Sequence, residues 1–187
     1  KSLPALWTSF PHPNYPTLNA FMDKLNSVYK KDPTKAPKIV FVMKGTHKTT
    51  EDVSIKHPIN IIGAGRDQTF VKGGGFRIKG TKEEGKNVVL KDMTISKTSG
   101  SGVWGYNGLS WLCDSMTITQ CGGYGVYAYK TKGRLINCVI TQCGDSGIFC
   151  DENALIELEG DQTNVDGNVT SGNSSCYGLF TWDTSSI

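Results

Sequence analysis

The chain has 187 residues, 20 basic against 17 acidic side chains for a net charge of +3, and 22 glycines. That length suits a single domain; the interspersed charges offer no concentrated basic face for nucleic acid, and no apolar run approaches the ~20 residues of a membrane span. Glycine, at roughly 12% against a usual ~7%, suits a fold with many turns.

From the amino end, Lys1 to Pro16 carries four prolines and no periodicity, and reads as an extended arm lying on the body. No signal peptide is read at Lys1. Over Thr17–Tyr29 the pattern becomes helical. Leu18, Phe21, Met22, Leu25, Val28 and Tyr29 fall on one face, with Asn19, Asp23, Lys24 and Asn26 on the other. Thr17 suits the N-cap, and Lys30-Lys31-Asp32-Pro33 ends the segment. An amphipathic helix here would cover the first layer of whatever follows, with Phe21, Met22 and Leu25 facing Ile39–Met43; a partner-binding helix is the alternative. Residues 1–37 are thus an arm and cap, and 38–187 the body.

The body opens on Ile39-Val-Phe-Val-Met43, then short β-forming runs at Val53–Ile55, Ile59–Ile62, Phe70–Val71 and Phe76–Ile78. Gly63-x-Gly65 lacks the third glycine and following helix of a dinucleotide fingerprint, and reads as a turn. Thr81 to Lys86 reads as a charged, solvated loop. From Asn87 the sequence repeats. Gly102-Val-Trp-Gly-Tyr106 aligns with Gly125-Val-Tyr-Ala-Tyr129, Gly147-Ile-Phe-Cys-Asp151 and Gly178-Leu-Phe-Thr-Trp182, at spacings of 23, 22 and 31 residues. A period in the low twenties, built from β-branched and aromatic segments broken by Gly, Asn, Asp and Ser, is that of a solenoid of short parallel strands. The expected fold is an all-β, right-handed parallel β-helix of about six coils, stacked at ~4.8 Å, with a capping helix at the amino end.

The KGTH step (Lys44–His47), the passage from Val53 to Thr69 and the segments GVYAY, GIFCDENA and YGLFTW together resemble pectin-lyase-like β-helix proteins, with repeats similar to those of carbohydrate-binding and sugar-hydrolase modules. The resemblance spans residues 38–183 and implies the fold; no catalytic motif of the family matches here, so it implies no catalytic residues.

Alternation along a strand sends Val103, Val126, Ile148 and Leu179 inward, with Gly105, Ala128, Cys150 and Thr181 two places on. The residues between face outward in two columns: Trp104, Tyr127, Phe149 and Phe180, beside Tyr106, Tyr129, Asp151 and Trp182. Either these columns form a stacking platform for sugar rings or a protein, or the arm or the 160–176 segment covers them. Asp114, Asp145, Asp151, Glu152, Glu157 and Glu159, near Lys130, Lys132 and Arg134, are the acid–base candidates, with Glu152–Lys130 as one cross-coil ion pair. Asp92, Asp114 and Asn137 read as turn formers at one position rather than calcium ligands, and His12, His47 and His57 form no triad. No metal or cofactor is implied.

The six cysteines show no CxxC spacing; Cys121 and Cys143 share a slot in adjacent coils, either as a disulfide or as a ladder of half-buried thiols. Asn168-Val-Thr170 and Asn173-Ser-Ser175 are glycosylation sequons and favour a secreted or extracellular protein. The functional expectation is a non-catalytic module binding a polysaccharide or other glycan; the alternatives are a scaffold docking a protein partner and a small polysaccharide lyase or hydrolase.

Overall fold

The structure, a computed structural model, describes residues 6–81 and 86–187. The core of the charged loop read at 81–86 therefore lies outside the described residues. Strand β1 (Trp7–Phe10) and helix α1 (Leu18–Lys31) precede strands β2 (Ile39–Val42), β3 (Gly45–Lys48) and β4 (Val53–Ile55), which make the first coil. The second coil is β5 (Asn60–Ile62), β6 (Thr69–Lys72) and β7 (Phe76–Gly80); the third is β8 (Val88–Lys91), β9 (Thr94–Ser96) and β10 (Val103–Gly108). Then come β11 (Trp111–Asp114), β12 (Thr117–Thr119) and β13 (Val126–Tyr129), followed by β14 (Lys132–Ile136), β15 (Val139–Thr141) and β16 (Ile148–Asp151). The sixth coil is β17 (Leu155–Glu159), β18 (Asn164–Asp166) and β19 (Leu179–Thr181).

Strands one coil apart pair in parallel, giving a first sheet β1-β2-β5-β8-β11-β14-β17, a second β3-β6-β9-β12-β15-β18 and a third β4-β7-β10-β13-β16-β19. This is the right-handed parallel β-helix anticipated from the glycine register. Its interior is a set of columns of like residues. In the third sheet Val53, Phe76, Val103, Val126 and Ile148 lie in register and are fully buried. In the second, Ile95, Ile118 and Ile140 do the same.

Trp111 breaks that uniformity. It points inward from β11, and its indole occupies volume that two glycines leave empty. A Cβ on Gly105 would lie 2.1 Å from its Nε1, and one on Gly133 would lie 2.2 Å from its Cζ2. These glycines are therefore set by close approach rather than by backbone angle.

The amino-terminal arm is a strand as well as an extension: β1 pairs with β2 through Trp7–Ile39 to Phe10–Val42 and extends the first sheet by one. Thr17 caps α1 by accepting the Ala20 N–H, and Lys30 and Lys31 sit in the last turn, where cations oppose the helix dipole. Leu18, Phe21, Met22 and Leu25 are buried, as the helical pattern anticipated. The helix packs against β4 rather than squarely over β2, while Phe21 also meets the rings of Phe10, His12 and Tyr15.

Asn19 and Asn26, expected on the solvent face, are buried. Their Nδ2 groups donate to the carbonyls of Glu51 and Asp52 (2.8 and 3.1 Å) and of Ser54 (2.9 Å), and Asn26 Oδ1 accepts the Lys56 N–H at 3.0 Å. Seven residues apart on one helix face, the two amides match the edge of β4, whose backbone groups have no strand beyond them. Polar side chains here do what a neighbouring strand does elsewhere.

At the other end, Leu179 is in register beneath Ile148 but 49% exposed, so the internal column expected to hold four repeats closes over three of them. Leu158 and Val165 of the last coil are half-buried. Ser186 pairs with Ala154 and Ile156 across this end through backbone bonds of 3.0 and 3.1 Å.

Candidate functional site

The outward columns of the third sheet stand where alternation places them. Trp104 pairs with Tyr127, Tyr127 with Phe149, and Phe149 with Phe180 in strand register. Tyr106, Tyr129 and Asp151 form the second column, and Trp182 follows at the end of the last coil. Among the described residues, the strand of the arm, β1, belongs to the first sheet and the strand of the 160–176 segment, β18, to the second, so neither strand lies on the columns.

Their geometry differs from a row of free ring faces. Consecutive rings stack on each other: Trp104–Tyr127 at 5.6 Å and 18°, Tyr127–Phe149 at 5.0 Å and 12°, Phe149–Phe180 at 5.0 Å and 14°. The coil spacing is close to the distance at which offset aromatic faces attract, so the ladder satisfies itself. The Arg77 guanidinium, ion-paired with Asp52 at 3.7 Å, extends the ladder by lying 4.2 Å over Trp104. Most side chains of the two columns are consequently half-buried, whereas Trp182, edge-on to Phe180, is 63% exposed.

Sequence reasoning missed Tyr124 and Tyr177. Tyr124 meets Tyr127 at 5.4 Å and Phe149 at 5.0 Å; Tyr177 meets Phe180 at 5.3 Å and is 53% exposed. Each stands immediately before the glycine that opens its repeat (Gly125, Gly178), a slot taken by Ser101 and Ser146 in the other copies. That shared position is the signal that would have found them.

The rim of this ridge is polar. The Tyr127 hydroxyl donates to Asp151 Oδ2 at 3.5 Å. Burial, then the Asp151 charge, pushes the Tyr127 hydroxyl up to about 12. Tyr124 is also raised, by burial first and then Asp145. Lys130 Nζ lies 4.9 Å over Tyr129 and 3.6 Å from Glu152, the cross-coil pair read from register.

The remaining acid–base candidates do not converge here. Asp114 belongs to the first sheet, 2.5 Å from Lys91, so the shared left-handed turn position is filled by Asp92, Ser115 and Asn137 rather than by Asp114. Burial pushes Asp114 up, but its hydrogen bonds from Lys91 and Ser115 outweigh this and hold it below the usual carboxylate range. Arg134 pairs with Glu157 at 3.2 Å and Glu159 at 2.5 Å, also on the first sheet. Lys132 is exposed at the start of β14. Asp145 sits at a turn, 3.7 Å from the Cys176 thiol.

His47 and His57 are buried structural groups, bonded to the Met43 carbonyl at 2.8 Å and the Asn26 amide at 3.0 Å. Among the described residues, no three His, Cys, Asp or Glu side chains are placed to hold a metal ion. Among the same residues, no helix is long and apolar enough to cross a membrane.

All six cysteines are free thiols, and five are fully buried rather than half-buried. Burial raises Cys138 to about 11 and Cys150 to about 12. The neighbouring Cys143 thiol, and then burial, raises the Cys121 thiol.

A family model described as a right handed beta helix region matches residues 40–187. No curated protein and no solved structure matches the chain.

Proposed function

The chain belongs to the right-handed β-helix family, and on that premise we propose that it is a non-catalytic binding module recognising a glycan along the ridge of its third sheet. The observation that carries this reading is the continuity of the ridge. Trp104, Tyr127, Phe149 and Phe180 run without a break over four coils, flanked by Tyr124 and Tyr177 on one side and by Tyr106, Tyr129, Asp151 and Trp182 on the other. A contiguous partly exposed aromatic surface on a folded chain is a binding feature.

Because the ring faces between coils are occupied by one another, a sugar chain meets the middle of the ridge at ring edges and hydroxyls. Tyr127, Asp151 and Lys130 supply hydrogen bonds there. The apolar faces of pyranose rings find open aromatic surface at Tyr177 and Trp182, the two most exposed aromatics of the ridge. The fixed coil spacing suits a polymer lying along the solenoid axis better than a free monosaccharide.

A second reading, a scaffold that docks a protein partner, is favoured by one further feature. Leu179 is exposed at the open end of the interior, in one hollow with Leu158 and Val165, giving the carboxyl-terminal end of the solenoid an apolar surface that a glycan has little use for.

Calorimetric titration against a panel of neutral, acidic and amino polysaccharides, alongside a pull-down, separates the two. Tyr127→Ala with Tyr129→Ala should lower the melting temperature, because Tyr127 stacks in the ladder, yet below it keep the circular dichroism spectrum of the fold and lower polysaccharide affinity at least tenfold, central aromatics being the dominant contacts of such interfaces. Unchanged polysaccharide affinity in the folded double variant sinks the glycan reading, and loss of a captured protein instead establishes the scaffold.

A further inference from the structure

The two sequons lie five residues apart yet stand in opposite environments. The Asn168 amide is fully engaged. Its Oδ1 accepts the Cys143 N–H at 3.1 Å, and its Nδ2 donates to the Ile140 carbonyl at 3.0 Å and the Asp166 carbonyl at 3.1 Å. The same Nδ2 is so close to β-helix backbone that a Cβ on Gly147 would lie 2.6 Å from it. Asn168 thus ties the last coil to the one before it. A sugar on Nδ2 would replace a hydrogen that the fold uses and would fall into space that Gly147 leaves for the bare amide.

Asn173 is the reverse. It is exposed, and among the described residues its Nδ2 makes no hydrogen bond. Its Oδ1 accepts the Ser175 N–H at 3.0 Å, its own N–H donates to Ser171 Oγ at 3.3 Å, and the Cys176 N–H donates to its carbonyl at 3.1 Å. This Asx turn folds residue 175, the hydroxyl position of the sequon, back onto the asparagine side chain. The turn occupies Oδ1 and leaves the exposed Nδ2 uncommitted beside the residue whose hydroxyl the transferase reads.

We propose that Asn173 is an N-glycan acceptor and that Asn168 is not. In the transfer, Asn173 Nδ2 attacks the anomeric carbon of a lipid-diphosphate-linked oligosaccharide. The N–C bond forms as the bond from that carbon to the phosphate oxygen breaks; the lipid diphosphate leaves with the electron pair, and Nδ2 loses one proton to the transferase. Nothing is oxidised or reduced. The glycan stands four residues before Tyr177, at the open end of the aromatic ridge.

The test is expression of the full chain through the secretory route of a glycosylating eukaryotic cell, with intact mass and site mapping of the secreted, folded fraction before and after amide-cleaving glycosidase. The expected result is one glycan, at Asn173. Asn173→Gln and Ser175→Ala should each abolish it, the second without altering the acceptor residue. Asn168→Gln removes structural bonds and is vulnerable to misfolding, so Thr170→Val is the companion that deletes the first sequon while keeping the Asn168 amide; it should still carry the glycan. A folded secreted chain bearing no glycan, or one occupied at Asn168, overturns the proposal.

Discussion

The first and third sheets of the solenoid share one strand register and one core, but opposite kinds of interaction hold their outer surfaces. On the third sheet, rings stack on rings for four coils at 5.0–5.6 Å. On the first, the outer columns are joined by ion pairs, Lys91 with Asp114 and Arg134 with Glu157 and Glu159. A parallel β-helix imposes the same repeat distance on both. Aromatic faces profit from that distance without desolvating a charge, whereas exposed ion pairs return little because water and salt compete. The outer ladder of the third sheet is therefore part of what stabilises the fold as well as a surface for binding.

Phe149→Ala should break the contrast most clearly. Phe149 touches Tyr127, Phe180 and Tyr124, and at ~0.5–1.5 kcal/mol per aromatic pair its loss should cost roughly 2–4 kcal/mol, read from the denaturant midpoint. A change within experimental scatter would mean that the stack follows the backbone and contributes nothing to it. Arg134→Ala, which removes both ion pairs of one column, should cost under ~1 kcal/mol. That smaller loss should shrink further in molar salt, where the Phe149→Ala loss should persist. Equal salt sensitivity of the two variants would contradict this division between the sheets.

The smallest effect is in alkali. Tyr127 is pushed up to about 12 by burial and then by the Asp151 charge, against about 10 for an unperturbed tyrosine. The folded state holds this proton more tightly than the unfolded chain does. Its contribution is accordingly complete below about pH 10 and lost as the pH rises through about 12. Tyr127→Phe should flatten part of the alkaline decline in melting temperature between those values, leaving a residue from Tyr124, which shifts the same way. An identical decline in wild type and variant would place the titration elsewhere.

What the sequence disclosed follows from which constraints repeat. The columns through Val103, Val126 and Ile148 were legible because each coil must present the same side to its neighbours, and so were the outward rings between them. The departures come where repetition stops. β1 carries no period in the sequence, four residues among prolines, though Trp7–Phe10 finds a partner in Ile39–Val42. Hydropathy sends Asn19 and Asn26 to solvent because it takes no account of a strand edge needing donors and an acceptor. Leu179 has the right register, but a column position is buried only when a further layer lies over it. For the candidate site, register located the rings but could not tell that their faces would turn toward each other, since that depends on side-chain torsions that alternation leaves open. Tyr124 and Tyr177 were overlooked because two serines occupy the same slot in the alternate copies.

The indole of Trp111 carries a consequence for how such a chain can change over generations. One side chain leans across Gly105 in the coil before and lies against Gly133 in the coil after, so three successive coils are cut to fit it. Duplicating or deleting a single coil is the ordinary route by which solenoids lengthen and shorten, and it requires units that can be exchanged. Here an inserted copy of the Trp111 coil would set its own tryptophan against the original, and excision would leave two glycine-lined hollows facing nothing. Adding or removing one coil should therefore be tolerated better at the ends of this solenoid than within the three coils around Trp111.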